Sequence, residues 1–514
     1  TLGGNAIAME YESELFDTDQ IIQIDIQMEE ADWEEMLAEA MAEEYYACDV
    51  VINGRKICNV GIRPKGNTSL SSIASDPDTD RVSLKLEFDH YTKGQTCFGL
   101  DKLILNNNYA DATNMKEAIV YDRYQYLGAD ASLYNYAEIS VNGEYWGVYL
   151  ALEAVEESFL LRNFGAEDGN LYKPEGLEMG AVGGGQPEGG GFQKGGFPGS
   201  PEAFQGGEPP ESAEGSRREE PPGDGKAFLG SGFSMGSGGA DLNYTDDDLD
   251  SYSAIWDGEV TDSGKKDHKR VVEALKNISQ GTELETYLDI DNVLKYMAVH
   301  AFSVNMDSLS GNMAHNYYLY EYDGKLNILP WDYNLAFGGM GMGAGNEASA
   351  VVNAPIDDPF QGTAFFDALL EDGAYLEAYH GYLRELVEEY VLGGRFQEAY
   401  QRIRSQIDAL VESDPTAFYA APEYEAAAEM LYRTVMLRAQ SILGQLEGAI
   451  PSTDAGQRAD ASALVDASSI HIEAMGTFDM GARQGGEPPE GMPEAPADGF
   501  QPPDGSGQSG AGIA

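Results

Sequence analysis

Three oxygen-bearing side chains, Asp307, Asn316 and Asp332, are spaced so that one hairpin could bring them together. An Asp323-Gly324 pair between apolar runs is the signal of a two-residue hairpin turn. With that turn, Tyr322 faces Lys325, Tyr320 faces Asn327 and Asn316 faces Trp331. Asn316 and Asp332 then meet at the open end of the hairpin, within roughly 4.5–8 Å by cross-strand spacing. Asp307 ends the preceding helical pattern and reaches the same end through a short loop containing Gly311. Mg²⁺ takes such ligands, usually one or two carboxylates with substrate phosphates beside them. The chemistry this order of residues fits is phosphoryl transfer: Asp307 as the catalytic group receiving a hydroxyl proton, Asn316 and Asp332 as metal ligands. Singly, Asp307 reads equally well as a turn cap and Asp332 as a hairpin end; their alignment favours a joint role. Asn312, five residues after Asp307, competes with Asn316 for the metal.

The same chemistry needs a cation on the nucleotide side of a strand. In Val82–Phe88 the even positions are apolar and Lys85 projects from the opposite face, so Lys85 is the expected phosphate contact. Its expected partner is Glu117, on a helix predicted over about 113–127; an exposed Lys and an exposed Glu are the plainer reading of each alone. The run from Gly61 to Ser69 contributes Arg63, Lys65 and Asn67 to an expected phosphate-covering loop between two strands, although it matches neither common glycine-rich phosphate motif. Glu153, at the end of the strand 148–152, stands where a hinge would present backbone to a nucleotide base.

These residues need a scaffold, and the 514-residue chain is long enough for one large domain or several. A strand at 22–28, a helix from about 31 to 45 and hairpin turns at Asn53-Gly54 and Asn142-Gly143 open it. Helical patterns follow over roughly 266–278, 284–304, 363–391, 395–413 and 423–447. The fold class expected is α+β, with a β-rich N-terminal lobe over 15–175 and a helical C-terminal lobe over 241–450. Residues 451–480 read as a short extension. Residues 176–240 carry 21 Gly and 7 Pro, and 481–514 carry 9 Gly and 6 Pro, so both are expected to be disordered. They share Gln-Gly-Gly-Glu-Pro-Pro-Glu, at 205–211 and 484–490.

The side chains include 88 acids and 31 Lys or Arg, a formal charge of −57, and all but about −9 of it falls outside those two segments. Such a surface is wrong for nucleic acid; it either steers the basic, Ser-containing segments a kinase would act on or serves solubility alone. No apolar run is long enough to span a bilayer. The chain opens on Thr without a basic-then-apolar leader, which leaves a processed leader and an arbitrary boundary both open. Three cysteines exclude a disulfide scaffold; Cys48 and Cys58 flank the first hairpin and read either as two thiols or, with a bulged turn, as a pair. Asp246-Asp247-Asp248 with Asp250 lacks the glycine and closing glutamate of a calcium loop and reads as a solvated helix start. Ser200, Ser212, Ser216, Ser231 and Ser234 of the insertion are either acceptors for autophosphorylation or passive linker.

The ordered motifs resemble those of the CotH family of spore-coat-type atypical protein kinases. They run from Gly61-Ile-Arg-Pro-Lys-Gly-Asn-Thr-Ser69 and Ser83-Leu-Lys-Leu-Glu-Phe88 to Val141–Tyr149 with Glu153 and Gly169-Asn-Leu-Tyr-Lys173. Asn305-Met-Asp-Ser308, His315-Asn-Tyr-Tyr-Leu-Tyr320 and Leu329-Pro-Trp-Asp-Tyr-Asn334 complete the set. The resemblance spans about residues 15–450. It implies a two-lobed kinase-like fold, ATP and Mg²⁺, and transfer to Ser or Thr of proteins, with Asp307 catalytic, Asp332 on metal and Lys85 on phosphate. It also favours a cell-surface or spore-coat location over the cytoplasm. Asn334 departs from the second Asp usual in the family, so a structural or adhesive protein with little turnover is the alternative. No Arg precedes Asp307, so regulation by activation-loop phosphorylation is not expected.

Overall fold

Ile22, Ile24 and Ile26 alternate with polar residues and point into a barrel closed by seven strands. The computed structural model describes residues 6–165, 168–176, 237–311, 314–341 and 347–478, which fall in one compact unit. The barrel strands are β1 (Ile22–Gln27), β2 (Tyr46–Ile52), β3 (Arg55–Lys65), β4 (Ser83–Glu87), β5 (Lys102–Asn106), β6 (Tyr134–Val141) and β7 (Glu144–Glu153). Their order is β1-β2-β3-β4-β5-β7-β6, and β6 returns parallel to β1 to close the ring. Ile24, Ile62, Leu84, Leu86, Leu105 and Ile139 fill the interior, each at most 2 % exposed. Closure removes the edges that an open sheet of this length would offer to other chains.

A second sheet holds β8 (Asn170–Tyr172), β9 (Tyr317–Tyr322) and β10 (Lys325–Pro330) in the order β10-β9-β8. The three two-residue turns, Asn53-Gly54, Asn142-Gly143 and Asp323-Gly324, all have positive φ at both positions, as primed hairpin turns require. The helices Lys116–Leu127, Ile290–Ser303 and Ala421–Leu446 form a second core with the outer face of β6 and β7, through Tyr134, Tyr136, Leu150 and Leu152. Among the described residues no helix is long and apolar enough to cross a membrane.

The mixed α+β class is thus as the sequence predicts, but the β-rich part is a closed barrel. The strand β5 was not expected. Residues 61–65 belong to β3 and are followed by a helix, Thr68–Ala74, so the anticipated loop between two strands is a strand, a turn and a helix. The helix predicted over 31–45 stops at Ala38, and that over 284–304 breaks before Ile290, where Asp289 caps the second piece. The pattern over 363–391 divides into Asp367–Glu371, Gly373–Glu385 and a π-helical turn, Leu386–Val391. Asp248 caps a short helical turn and Asp247 pairs with Lys276 at 2.8 Å, in line with a solvated helix start. The β2–β3 register shifts after Cys48, which lies opposite Val60 and inside the barrel while Cys58 is exposed; both are free thiols. Of the two Gly/Pro-rich segments, 177–236 and 481–514 lie outside the described residues. Residues 237–240, which the sequence assigns to the first, form a turn that buries Ala240.

Candidate active site

The β9–β10 register runs from Tyr322↔Lys325 to Tyr317↔Pro330, so Asn316 and Trp331 leave the hairpin side by side. At this end the backbone is repeatedly left-handed: Val304, Ala314, Asn316 and Asp332 have φ of +48°, +48°, +57° and +56°. A β-branched residue such as Val304 adopts that conformation at a cost of about 1–3 kcal/mol, which the surroundings must offset. Asn305 ties the two loops together. Its Nδ2 donates to the Asp332 carbonyl at 3.1 Å and its Oδ1 accepts the Asp307 N–H at 3.2 Å.

The Asp307 carboxylate is gripped from both sides. His315 Nε2 lies 2.6 Å from Oδ1, and Asn316 Nδ2 donates to Oδ2 at 3.1 Å and to the Asp307 carbonyl at 2.9 Å. Burial alone would lower the His315 pKa, but the hydrogen bond and charge of Asp307, with Asp332 and Glu175 behind, raise it above the usual histidine value. Below this pair, His300 bonds Ser310 at 2.7 Å, and burial pulls its pKa down to about 3, so it stays neutral.

The opposite wall comes from the barrel and the Lys116–Leu127 helix. Lys65, last residue of β3, donates from Nζ to Asn106 Oδ1 at 3.0 Å and lies over the Trp331 ring at 5.5 Å. Asn106 in turn donates to Glu117 Oε2 at 2.8 Å, and Glu117 Oε1 accepts the Tyr333 N–H at 3.2 Å. Glu117 therefore holds the backbone directly after Asp332. Burial raises the pKa of Glu117 to about 8, the charge of Asp332 adds to the rise, and Asn106, Tyr333 and Lys65 oppose it. Burial also raises Asp332, with Asp307 adding and Lys65, Lys173 and His315 opposing; Lys65 is lowered by burial against the pull of Asp332 and Glu117. The site is a set of opposed charges that water screens poorly.

Several expected residues stand elsewhere. Lys85 does not meet Glu117: it pairs with Glu156 at 2.7 Å, and Lys102 pairs with the other oxygen of the same carboxylate. The cation beside Glu117 is Lys65. Both lysines project from the outer face of the barrel, but Lys85 lies opposite Arg63 while Lys65 lies opposite Ser83, one row nearer Asn106. Arg63 is occupied by Glu43 and stacked at 5.4 Å on Tyr45. Asn67 is exposed and precedes the Thr68–Ala74 helix without a side-chain cap bond. The Glu153 side chain is fully engaged within the fold. Its fully buried carboxylate takes Arg162 at 2.6 and 2.8 Å, Tyr11 at 2.5 Å and the Leu133 N–H at 3.1 Å, and its own N–H donates to the Leu133 carbonyl. A strand-end position does not by itself show that the side chain is engaged by Arg162 of the next helix. Asn312 lies outside the described residues. Asn334 donates to the Tyr109 carbonyl at 2.9 Å, a bond an ionised Asp could not make. Asn106 and Glu156 lie outside the motifs read from the sequence, and Asn305 stands in one of them without an assigned role.

Among the described residues no group of three or more His, Cys, Asp or Glu side chains is placed to hold a metal by itself. Mg²⁺ does not need such a cage, since it keeps waters and uses one or two carboxylates with phosphates. Asp332 fits that role. Its half-buried carboxylate receives no hydrogen bond and forms no ion pair among the described residues, while its carbonyl and the next N–H are both held. A carboxylate fixed in this way, half-buried and without a donor among the described residues, is free to accept a cation. Among families of known proteins, the model described as CotH kinase protein matches residues 62–442. No curated protein matches the chain.

Proposed function

The chain belongs to the CotH kinase protein family, and on that premise we propose a kinase-like, two-lobed phosphotransferase that moves the γ-phosphate of ATP to Ser or Thr of proteins, with Mg²⁺. The observation that carries this reading is the Asp332 carboxylate, lacking any hydrogen bond or ion pair among the described residues, between Lys65 with Glu117 on one side and Asp307 with His315 on the other. Magnesium and nucleotide would supply the phosphoryl group and neutralise its charge. Asp332, with the Asn316 side-chain oxygen, would hold the metal. Lys65 would contact phosphate oxygens, and Asn106 and Glu117 keep it and the Tyr333 backbone in place. Asp307 would orient the acceptor hydroxyl and take its proton, its carboxylate already fixed by His315 and Asn316. The acidity of the chain favours basic protein segments as acceptors.

Incubating the full chain with γ-labelled ATP, Mg²⁺ and a Ser/Lys-rich polypeptide tests the proposal. Label on Ser or Thr of either polypeptide is expected; none on either would overturn it. Asn334, engaged with Tyr109, favours a second reading, a structural or adhesive surface protein with weak turnover. Stabilisation against heat by ATP and Mg²⁺ without transfer would select that reading.

A further inference from the structure

Beyond residue 442, where the family match ends, the chain returns to the site. A short helical turn, Ile472–Met475, buries Ile472 and Met475 at 1 % and 0 % exposure. The Met475 carbonyl accepts the Ala112 N–H at 3.0 Å, and the Gly476 carbonyl accepts Lys116 Nζ at 2.9 Å. Two residues later, Phe478 donates its N–H to the Gly339 carbonyl at 2.7 Å and accepts the Gly341 N–H at 3.2 Å, bridging Met340 in parallel. Ala112 and Lys116 lead into the helix that carries Glu117; Gly339 and Gly341 belong to the segment that follows Asp332. Seven residues from the far end of the chain thus link the two elements whose relative placement sets the site.

Apart from the Lys116 ammonium, the contacts are backbone on backbone. Gly476 has φ of +81°, and a Cβ there would lie 2.5 Å from the Ala110 carbonyl oxygen and 2.8 Å from the Ala112 nitrogen. Lys116 is fully buried beside Asp111, whose Oδ2 accepts the Lys116 N–H at 3.0 Å, so its ammonium is spent on holding a carbonyl 360 residues away. Apolar side chains would suffice for packing alone; a buried ammonium aimed at one carbonyl fixes position as well.

We infer that residues 472–478 are a strap that keeps the Glu117 helix and the segment after Asp332 in catalytic register, with Lys116 and Gly476 as positioning residues. The inference rests on the phosphotransfer reading above. Two variants of the full chain break the strap at opposite ends. Gly476→Val collides with Ala110 and Ala112, and Phe478→Pro removes the N–H given to Gly339. Each should raise amide exchange in residues 110–120 and 335–341, leave barrel strands β1–β3 at parental protection, and lower kcat by about 10²-fold, as a misplacement of catalytic groups does. The KM for the acceptor polypeptide should hold, because the role inferred for the strap is positioning and not acceptor binding. Should Gly476→Val fail to fold, Phe478→Pro decides alone. Parental exchange in both segments, or parental kcat despite faster exchange, would overturn the inference. A parent chain that transfers no phosphate would count against the phosphotransfer reading instead, and raised exchange in both segments would still uphold the link.

Discussion

Lys65 and Lys85 show how fine the distinctions are at the scale of single residues. Alternation along β3 and β4 puts both on the outer face of the barrel, and the sequence goes no further, because it lacks the register that sets Lys65 one row nearer Asn106. Lys65→Met should lower kcat/KM for ATP by about 10²-fold or more, while Lys85→Met, which leaves Glu156 paired with Lys102, should cost less than about tenfold. Steady-state kinetics of the two variants checks this. Glu117 gives a second prediction. In the folded chain it keeps its proton up to about pH 8, whereas the unfolded chain loses it near pH 4.5. Its contribution to stability is therefore full below pH 4.5 and is lost as pH rises toward 8. Glu117→Gln removes that dependence, so its Tm relative to the parent, without nucleotide, should climb steadily from about pH 5 to about pH 8. A difference in Tm that is flat across this range would mean that Glu117 is ionised throughout.

Among the elements, the β9–β10 hairpin was the most legible. An Asp-Gly turn permits one register, and that register alone places Asn316 beside Trp331 and Asp332. The barrel was less so. Closure depends on β6 pairing with β1 across more than a hundred residues, and β5 hides in a run whose apolar residues also suit a buried helix. The Lys116–Leu127 helix is buried nearly all round, charged residues included, so its partners could not be read from periodicity. Glu153 belongs to this scale because its bonds join β7 to Tyr11 and to Arg162 of the Glu157–Phe164 helix. Glu153→Gln should cost about 3–5 kcal/mol, since Arg162 would keep its largely buried charge without a counter-charge, yet leave the activity per folded molecule intact. Urea unfolding alongside kinetics below the transition would show it; an unchanged midpoint with lost activity would restore Glu153 to the site.

For the whole molecule the dominant fact is a net charge of −57, a property of the sequence that needs no fold to read. It predicts steering of cationic acceptors, which salt abolishes. Raising ionic strength from about 0.05 M to about 0.5 M should lower kcat/KM for a Lys-rich polypeptide roughly tenfold and leave that for an uncharged Ser peptide within about twofold. The strap at 472–478 is also a whole-molecule property, invisible from the sequence because it pairs residues about 360 positions apart. The measurement that reaches the centre of the account is the initial rate of phosphate transfer from ATP to a protein acceptor, taken for the parent chain, Asp307→Asn and Asp332→Asn, each checked for native heat stability. Transfer by the parent and a fall of about 10³-fold or more in both variants are expected. Equal rates in all three folded proteins would contradict this.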